Sequence, residues 1–213
     1  MTSDRALRVG LTGGIASGKS VVLDRLETLG AVTVDSDVLA RGVLEPGTEG
    51  LSAVIARFGS AVLAPDGSLD RPALASIVFA DDDARADLEA IVHPLVRVEV
   101  RRRFADAPAD SIVVNGVPLL VEAGLVAEYD RVVVVEAPIE TRIARLADSR
   151  GLTRAQSLAR IAKQASDAER RAVAWRVITN DGTLAALQNQ VDDVWRALQV
   201  ERDRAREVAR RMT

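Results

Sequence analysis

Short runs of apolar, mostly β-branched residues recur along the chain, and longer segments with a helical spacing of apolar residues separate them. The runs lie at residues 7–11, 31–34, 111–114, 132–136 and 177–179. Continuous runs of this kind, in which apolar and polar positions do not alternate, are typical of strands buried on both faces of a parallel sheet. Because helical segments lie between the runs, the pattern predicts an α/β fold with a doubly wound parallel sheet flanked by helices.

Capping residues mark the ends of several predicted helices. The first helix covers residues 19–29 and stops at Gly30, while a later helix opens at Pro138 and ends at Gly151. Proline suits the first turn of a helix and glycine suits the position after its last turn. A short, arginine-rich helix is predicted to begin at residues 153–156, whose threonine and glutamine have the spacing of a capping box.

The stretch from about 49 to 109 interrupts the alternation of strands and helices and predicts a helical insertion on the core. Asp70 precedes Pro72 in the way that an N-cap residue precedes a helix. Pro94 is expected to end or kink the helix that begins near Asp83.

The chain is predicted to form one domain over residues 1–200, followed by a charged tail over residues 201–213 that projects or frays. The last helix of this domain is expected to pack on the core, because apolar residues recur at helical spacing. They are Leu184, Leu187, Val191, Val194, Trp195 and Leu198.

Composition and charge exclude several classes of protein. The 28 basic and 31 acidic residues give a formal charge of −3, which offers no general attraction to nucleic acid or to acidic membranes. The absence of cysteine excludes disulfides, thiolate zinc sites and iron–sulfur clusters, and a single histidine cannot form a histidine cluster. No apolar run approaches the ~20 residues that span a bilayer. We therefore expect a cytoplasmic protein without a membrane or nucleic-acid partner, and its oligomeric state is left open.

A glycine-rich stretch, GLTGGIASGKS at residues 10–20, joins the first predicted strand to the first predicted helix. It satisfies the pattern G-x-x-x-x-G-K-[ST], in which backbone amides surround phosphate oxygens at the start of a helix. Lys19 is expected to contact the β- and γ-phosphates and Ser20 to bind Mg²⁺. Amides from about residue 14 to 20 are expected to hold the β-phosphate and the Val21 amide the α-phosphate. The predicted ATP-binding residues of this loop are Gly13, Gly14, Ile15, Ala16, Ser17, Gly18, Lys19, Ser20 and Val21.

Two aspartates, Asp35 and Asp37, follow the second predicted strand. A carboxylate at the carboxyl end of a parallel strand beside the phosphate loop can face the crevice in which ligands bind. There it can orient an acceptor hydroxyl and take its proton. Capping of the next helix by Asp35 or Ser36 is an equally good reading for Asp35, but it uses only one of the two carboxylates. Asp37 is therefore the stronger candidate.

The chain resembles the dephospho-CoA kinase family over nearly all of its length before the tail. After the loop come, in order, VDSDVLARGVLEPG, FGSAVLAPDGSLDRPALASIVF, LEAIVHPLV, VPLLVEAGL, RIAKQ and VITNDG. The resemblance implies a P-loop fold and a Mg²⁺-dependent transfer of phosphate from ATP to the ribose 3′-hydroxyl of dephospho-CoA, giving CoA and ADP. It also implies that Asp37 is the general base. Ala16 stands where the family more often has glycine.

The resemblance further implies a lid over the triphosphate at about residues 142–170, in which Arg145 and Arg150 contact phosphate oxygens. A solvated helix face is the other reading of these arginines. Asn180 and Gly182 are implied to lie near the adenine of ATP, although an ordinary turn would have the same sequence.

Acceptor-binding residues are implied in the helical insertion and after the third strand. Glu122 has two further readings, as support for Mg²⁺ and as a cap of the next helix, and His93 is also explained as a residue that satisfies a turn. The implied acceptor-binding residues are Asp37, Arg71, His93, Leu119 and Glu122.

Two other functions stay open at this point. Another P-loop kinase, acting on a small molecule or a nucleoside monophosphate, would keep Lys19, Ser20 and the lid arginines but differ in the insertion. A regulatory module that binds ATP or CoA without turnover would not need the proton acceptor that Asp37 supplies.

Overall fold

The computed structural model describes residues 5–211 and consists of two compact units. The first unit is formed by the residues up to Asp35 together with those from Phe104 onward. The second unit is the continuous segment Ser36–Arg103.

A parallel five-stranded sheet forms the centre of the first unit, with strand order β2-β3-β1-β4-β5. Each strand lies within two residues of a run that the hydrophobic pattern predicted, so the predicted sheet is confirmed. Because β1 is central, its carboxyl end lies between those of β3 and β4, and this edge carries the site described below. The strands are β1 (Leu7–Gly13), β2 (Val32–Asp35), β3 (Ile112–Gly116), β4 (Arg131–Glu136) and β5 (Arg176–Thr179).

Both faces of the sheet are covered, as β4 shows most clearly. Val133 and Val135 pack into a large core cluster, whereas Val132 and Val134 pack into a second, smaller cluster. All four side chains are buried. Burial on both sides explains why the run is continuously apolar rather than alternating.

Five helices flank this sheet, and two of their predicted ends are confirmed. Helix α6 ends at Gly151, which has a φ of 63°, the left-handed conformation that glycine adopts easily. Helix α7 begins with a complete capping box formed by Thr153 and Gln156. The helices are α1 (Lys19–Thr28), α6 (Ile139–Arg150), α7 (Arg154–Ala162), α8 (Asp167–Val173) and α9 (Leu184–Arg211).

Helix α9 extends further than the sequence indicated. It includes the described part of the predicted tail, and the guanidinium of Arg131 fastens it to the sheet by donating from Nε to Glu201 at 2.9 Å. The predicted apolar positions are buried except Leu184, which is 59% exposed because it is the first residue of the helix. Residues 212–213 of the predicted tail lie outside the described residues. Within residues 5–211, no helix combines the length and the apolar character needed to cross a membrane.

The second unit is helical and has its own core. Helix α4 begins as predicted, because the Asp70 carboxylate accepts a hydrogen bond from the Ala73 amide at 2.9 Å. The buried core residues are Leu44, Leu51, Val54, Val62, Leu69 and Leu74. The helices are α2 (Ser36–Gly42), α3 (Glu49–Phe58), α4 (Arg71–Ala80) and α5 (Asp82–Asp106).

Helix α5 continues through Pro94, so of the two expectations, an end or a kink, the end is wrong. Proline removes one backbone hydrogen bond, but apolar packing on both sides outweighs that loss. Leu88 and Ile91 pack against the core before Pro94, and Val100 is buried after it.

Candidate active site

The loop between β1 and α1 has an unusual backbone. Gly18 has a φ of 101° and Ala16 a φ of 61°, and Ala16 is the only non-glycine residue with a positive φ among the described residues. The Ser17 amide closes a turn by donating to the Gly14 carbonyl at 3.0 Å. A loop with left-handed residues at these positions directs successive amides into one concavity, which is the geometry of an anion-binding nest.

Several amides of this concavity are available to a ligand. Within residues 5–211, those of Ala16, Gly18, Lys19, Ser20 and Val21 have no hydrogen-bond acceptor. The last three belong to the first turn of α1, whose amides have no partner inside the helix. The sequence predicts that the amides from about residue 14 to 20 hold the β-phosphate, but two of these amides already have acceptors. In this structure the Ile15 amide donates to Oε1 of Gln164 at 2.7 Å, and the Ser17 amide is used in the turn.

Side chains from two other elements hold the loop from outside. Nη1 of Arg145 donates to the carbonyls of Ala16 and Ser17 at 3.1 and 3.2 Å. The Asn180 side chain donates to the same Ser17 carbonyl at 2.8 Å. The structure thus brings Arg145 and Asn180, both predicted from the sequence, directly against the phosphate loop.

Two further residues of the loop's surroundings were missed from the sequence. Nε of Arg142 donates to the Ile15 carbonyl at 2.9 Å, and Gln164 accepts from the Ile15 amide as described above. Arg142 lies one helical turn before Arg145 on α6, and Gln164 is the last residue of RIAKQ. The spacing from Arg145 and the place in RIAKQ are the sequence features by which Arg142 and Gln164 could have been identified.

Two buried arginines lie in the segment from α6 to α8. Arg142 and Arg170 are 3% and 1% exposed, and Nη2 of Arg142 and Nε of Arg170 are buried without a hydrogen-bond partner. Burial lowers the pKa of Arg142, Asp167 opposes this shift and the charge of Arg170 adds to it. Of these two side chains Arg142 contacts the loop, and its buried Nη2 group, which has no partner among the described residues, favours an anion there.

Lys19 and Ser20 are the first two residues of α1. The Lys19 ammonium lies over the carboxyl end of β3, where a Cβ on Gly116 would be only 2.9 Å from Nζ. Ser20 is exposed on the first turn of α1. Among the described residues no group of three or more acidic or histidine side chains forms a metal site. The Ser20 hydroxyl is an oxygen donor, the kind of ligand that Mg²⁺ takes together with phosphate oxygens and water.

The two aspartates lie in different units. Asp35 is the last residue of β2, and Asp37 is exposed in the first turn of α2. In the second unit Arg71 is the first residue of α4 and donates to the Arg41 carbonyl at 3.3 Å, and His93 is exposed on α5.

Of the remaining predicted residues of the first unit, three are exposed and Glu122 makes hydrogen bonds within the protein. Leu119 is 46% exposed, and Arg150 and Gly182 are also exposed. The Glu122 carboxylate accepts from the Ala165 amide at 2.8 Å and from Arg170 at 2.9 Å. Glu122 therefore fastens the connection between α7 and α8.

This combination of a parallel sheet and a phosphate loop leading into a helix defines a P-loop kinase fold. The family profile described as dephospho-CoA kinase matches residues 7–186. The chain belongs to the dephospho-CoA kinase family.

Individual relatives agree with this assignment. A dephospho-CoA kinase of Frankia casuarinae is 52% identical over 195 residues, 92% of this chain and 85% of the relative. One of Mycolicibacterium paratuberculosis is 51% identical over 89% of this chain, but the chain spans only 46% of that relative's length. A solved Thermus thermophilus structure has a TM-score of 0.75 at 35% identity, covering 91% of this chain and 98% of its own. These similarities support dephospho-CoA kinase activity with ATP as co-substrate.

Proposed function

We propose that this chain transfers the γ-phosphoryl group of ATP to the ribose 3′-hydroxyl of dephospho-CoA, the last step of coenzyme A synthesis. One observation carries the proposal: within residues 5–211, the backbone amides of Ala16 and residues 18–21 have no acceptor, and the Lys19 side chain adds an ammonium group to the same loop. The chain that carries this loop is a member of the dephospho-CoA kinase family. Together the amides and the ammonium group offer donors and one positive charge to a polyphosphate.

The loop binds the phosphates of ATP in this proposal. The free amides and the Lys19 ammonium hold the β- and γ-phosphates, and the guanidinium of Arg145 contributes further N–H groups beside the Ala16 and Ser17 carbonyls that it already contacts. Arg150 reaches the phosphates from the end of α6. Asn180 and Gly182, which follow β5, border the adenine.

Asp37 is the general base. Its carboxylate orients the 3′-hydroxyl and takes the proton as the new oxygen–phosphorus bond forms and the bond from the γ-phosphorus to ADP breaks. Arg71, His93, Leu119 and Glu122 are proposed to hold the rest of dephospho-CoA.

Ser20 is proposed to hold Mg²⁺ through its hydroxyl, which is exposed at the loop. A bound ion would supply positive charge that stabilises the transferring phosphate. The protein's own part is to present one oxygen ligand and leave the other positions to ATP and water.

Acceptor dependence tests the function. ADP release should require dephospho-CoA and should greatly exceed the release seen with adenosine monophosphate or shikimate as acceptor. Phosphorus NMR of the product should show a new monoester at the ribose 3′ position. A rate with another acceptor that equals the rate with dephospho-CoA would assign the chain to a different small-molecule kinase activity, and ATP binding without any transfer would indicate a regulatory module.

A further inference from the structure

We propose that Gln164 is a positioning residue of the phosphate-transfer site, which holds the phosphate loop in the shape that binds ATP. This inference rests on the proposed function, because it concerns the same loop. The contact that carries it is the 2.7 Å hydrogen bond from the Ile15 amide to Oε1 of Gln164.

Both backbone polar groups of Ile15 are fixed by side chains. Gln164 accepts from its amide, and Nε of Arg142 donates to its carbonyl at 2.9 Å. The peptide groups on either side of Ile15 therefore cannot rotate without breaking one of these bonds. Gln164 thus occupies the Ile15 amide, whereas the amides of Ala16 and residues 18–21 have no acceptor within residues 5–211 and stay available to a ligand.

The next residue explains why such a hold is needed. Ala16 has a φ of 61°, a conformation that an alanine does not adopt by preference. Strained backbone of this kind persists only where the surroundings determine it. Gln164 and Arg142 fix the residue before Ala16, and Arg145 fixes Ala16 itself through its carbonyl.

Gln164 is in turn held in place by its own neighbours. The backbone amide of Gln164 donates to the Ile161 carbonyl at 3.1 Å. The next residue, Ala165, donates its amide to Glu122 at 2.8 Å, and its carbonyl accepts from the buried Arg170 at 2.6 Å. The side chain of Gln164 therefore projects from a segment that is fixed on both sides.

The variant Gln164→Met tests the proposal, because it keeps the length of the side chain and removes the acceptor oxygen. We expect about a fivefold weaker affinity for ATP, the size that the loss of one hydrogen bond gives. The KM for ATP should rise by the same factor while kcat and the KM for dephospho-CoA stay near wild type, because the loop binds the phosphates equally before and during transfer. Exchange of the Ile15 amide, followed by NMR, should become faster.

Two further variants separate positioning from a general effect on the fold. Gln156→Met alters another glutamine of the same region, whose side-chain hydrogen bonds within residues 5–211 go to Thr153 at the cap of its own helix, and should leave ATP affinity unchanged. Gln164→Glu keeps an acceptor oxygen and should keep the Ile15 amide protected.

An unchanged ATP affinity in Gln164→Met would overturn the proposal, and so would a reduced kcat with an unchanged KM for ATP. A tighter affinity would overturn it as well, since Gln164 would then compete with phosphate for the amide. ATP affinity and amide exchange need no acceptor, so they remain decisive even if dephospho-CoA proves not to be the substrate.

Discussion

The guanidinium group of Arg142 fills the space beside Gly14 that a β-carbon would occupy. A Cβ on Gly14 would overlap Nη2 of Arg142 and would lie 2.7 Å from its Cζ. Gly14 does not have a positive φ, so the requirement for glycine here comes from the close approach of this side chain and not from the backbone conformation.

Replacement of Gly14 by alanine should therefore destabilise the protein. Overpacking of this kind costs about 1–3 kcal/mol. The guanidinium is buried and donates to the Ile15 carbonyl, so moving it aside would break that hydrogen bond. Urea unfolding monitored by circular dichroism measures the change. Gly42→Ala is the control, since a Cβ at Gly42 would meet no atom within 4 Å. Equal stabilities for the two variants would contradict the packing argument.

Asp37→Asn should lower kcat by about 10²–10⁴, the usual contribution of a general base, and leave the affinity for ATP nearly unchanged. Steady-state kinetics and ATP binding are to be measured on the same preparation. Asp35→Asn, made in parallel, decides which of the two neighbouring carboxylates takes the proton. A matching loss of ATP affinity in Asp37→Asn would place Asp37 in the nucleotide site or in the fold instead.

Ala16→Gly should stabilise the protein by up to about 1.6 kcal/mol. The left-handed conformation costs an alanine about 1–2 kcal/mol, and glycine avoids this cost. The greater freedom of glycine in the unfolded chain destabilises the variant by about 0.4–1 kcal/mol, which offsets part of the stabilisation. Thermal and urea unfolding measure the difference. Ala147→Gly, at an exposed position inside α6, should instead destabilise by about 1 kcal/mol. A loss of stability in Ala16→Gly would show that the alanine conformation is not strained.

Tyr129, the single tyrosine of the chain, gives a direct test of the smaller core cluster of the first unit, which contains Val132 and Val134. Burial raises the pKa of Tyr129 to about 12, and the Asn115 side chain donates to its hydroxyl at 2.8 Å. Because the folded state holds the phenol proton more tightly, this contribution to stability is complete below about pH 10, the ordinary tyrosine pKa, and is lost as the pH rises toward 12.

The near-ultraviolet absorbance of tyrosinate should therefore show a midpoint near 12 in the native protein and near 10 in urea. The variant Tyr129→Phe should remove the corresponding pH dependence of unfolding. A native midpoint near 10 would mean that the hydroxyl reaches water.

Local signals in the sequence were sufficient for the sheet and for the phosphate loop. Continuous apolar runs correspond to strands covered on both faces, and the glycine pattern requires a strand before it and a helix after it. At Pro94 the same kind of reasoning left an end and a kink open, and the helix does not end there because packing along α5 outweighs one missing hydrogen bond. The reasoning failed at Leu184, which has the right spacing but lies at the exposed beginning of α9.

The residues that hold the loop could not be found in this way. Arg142 and Gln164 contact Ile15 from 127 and 149 positions along the chain. No periodicity or capping rule connects residues at such separations, because only the folded sheet brings them together. Arg145 and Asn180 were predicted, but as ligands of ATP, and their hydrogen bonds to loop carbonyls were not foreseen.

The second unit is one uninterrupted stretch, Ser36–Arg103, built around its own apolar core. Such a stretch can be exchanged as a module, since it takes no strand out of the parallel sheet. The sequence of this segment can therefore vary, or accept insertions, without any change in the order or the register of the five strands.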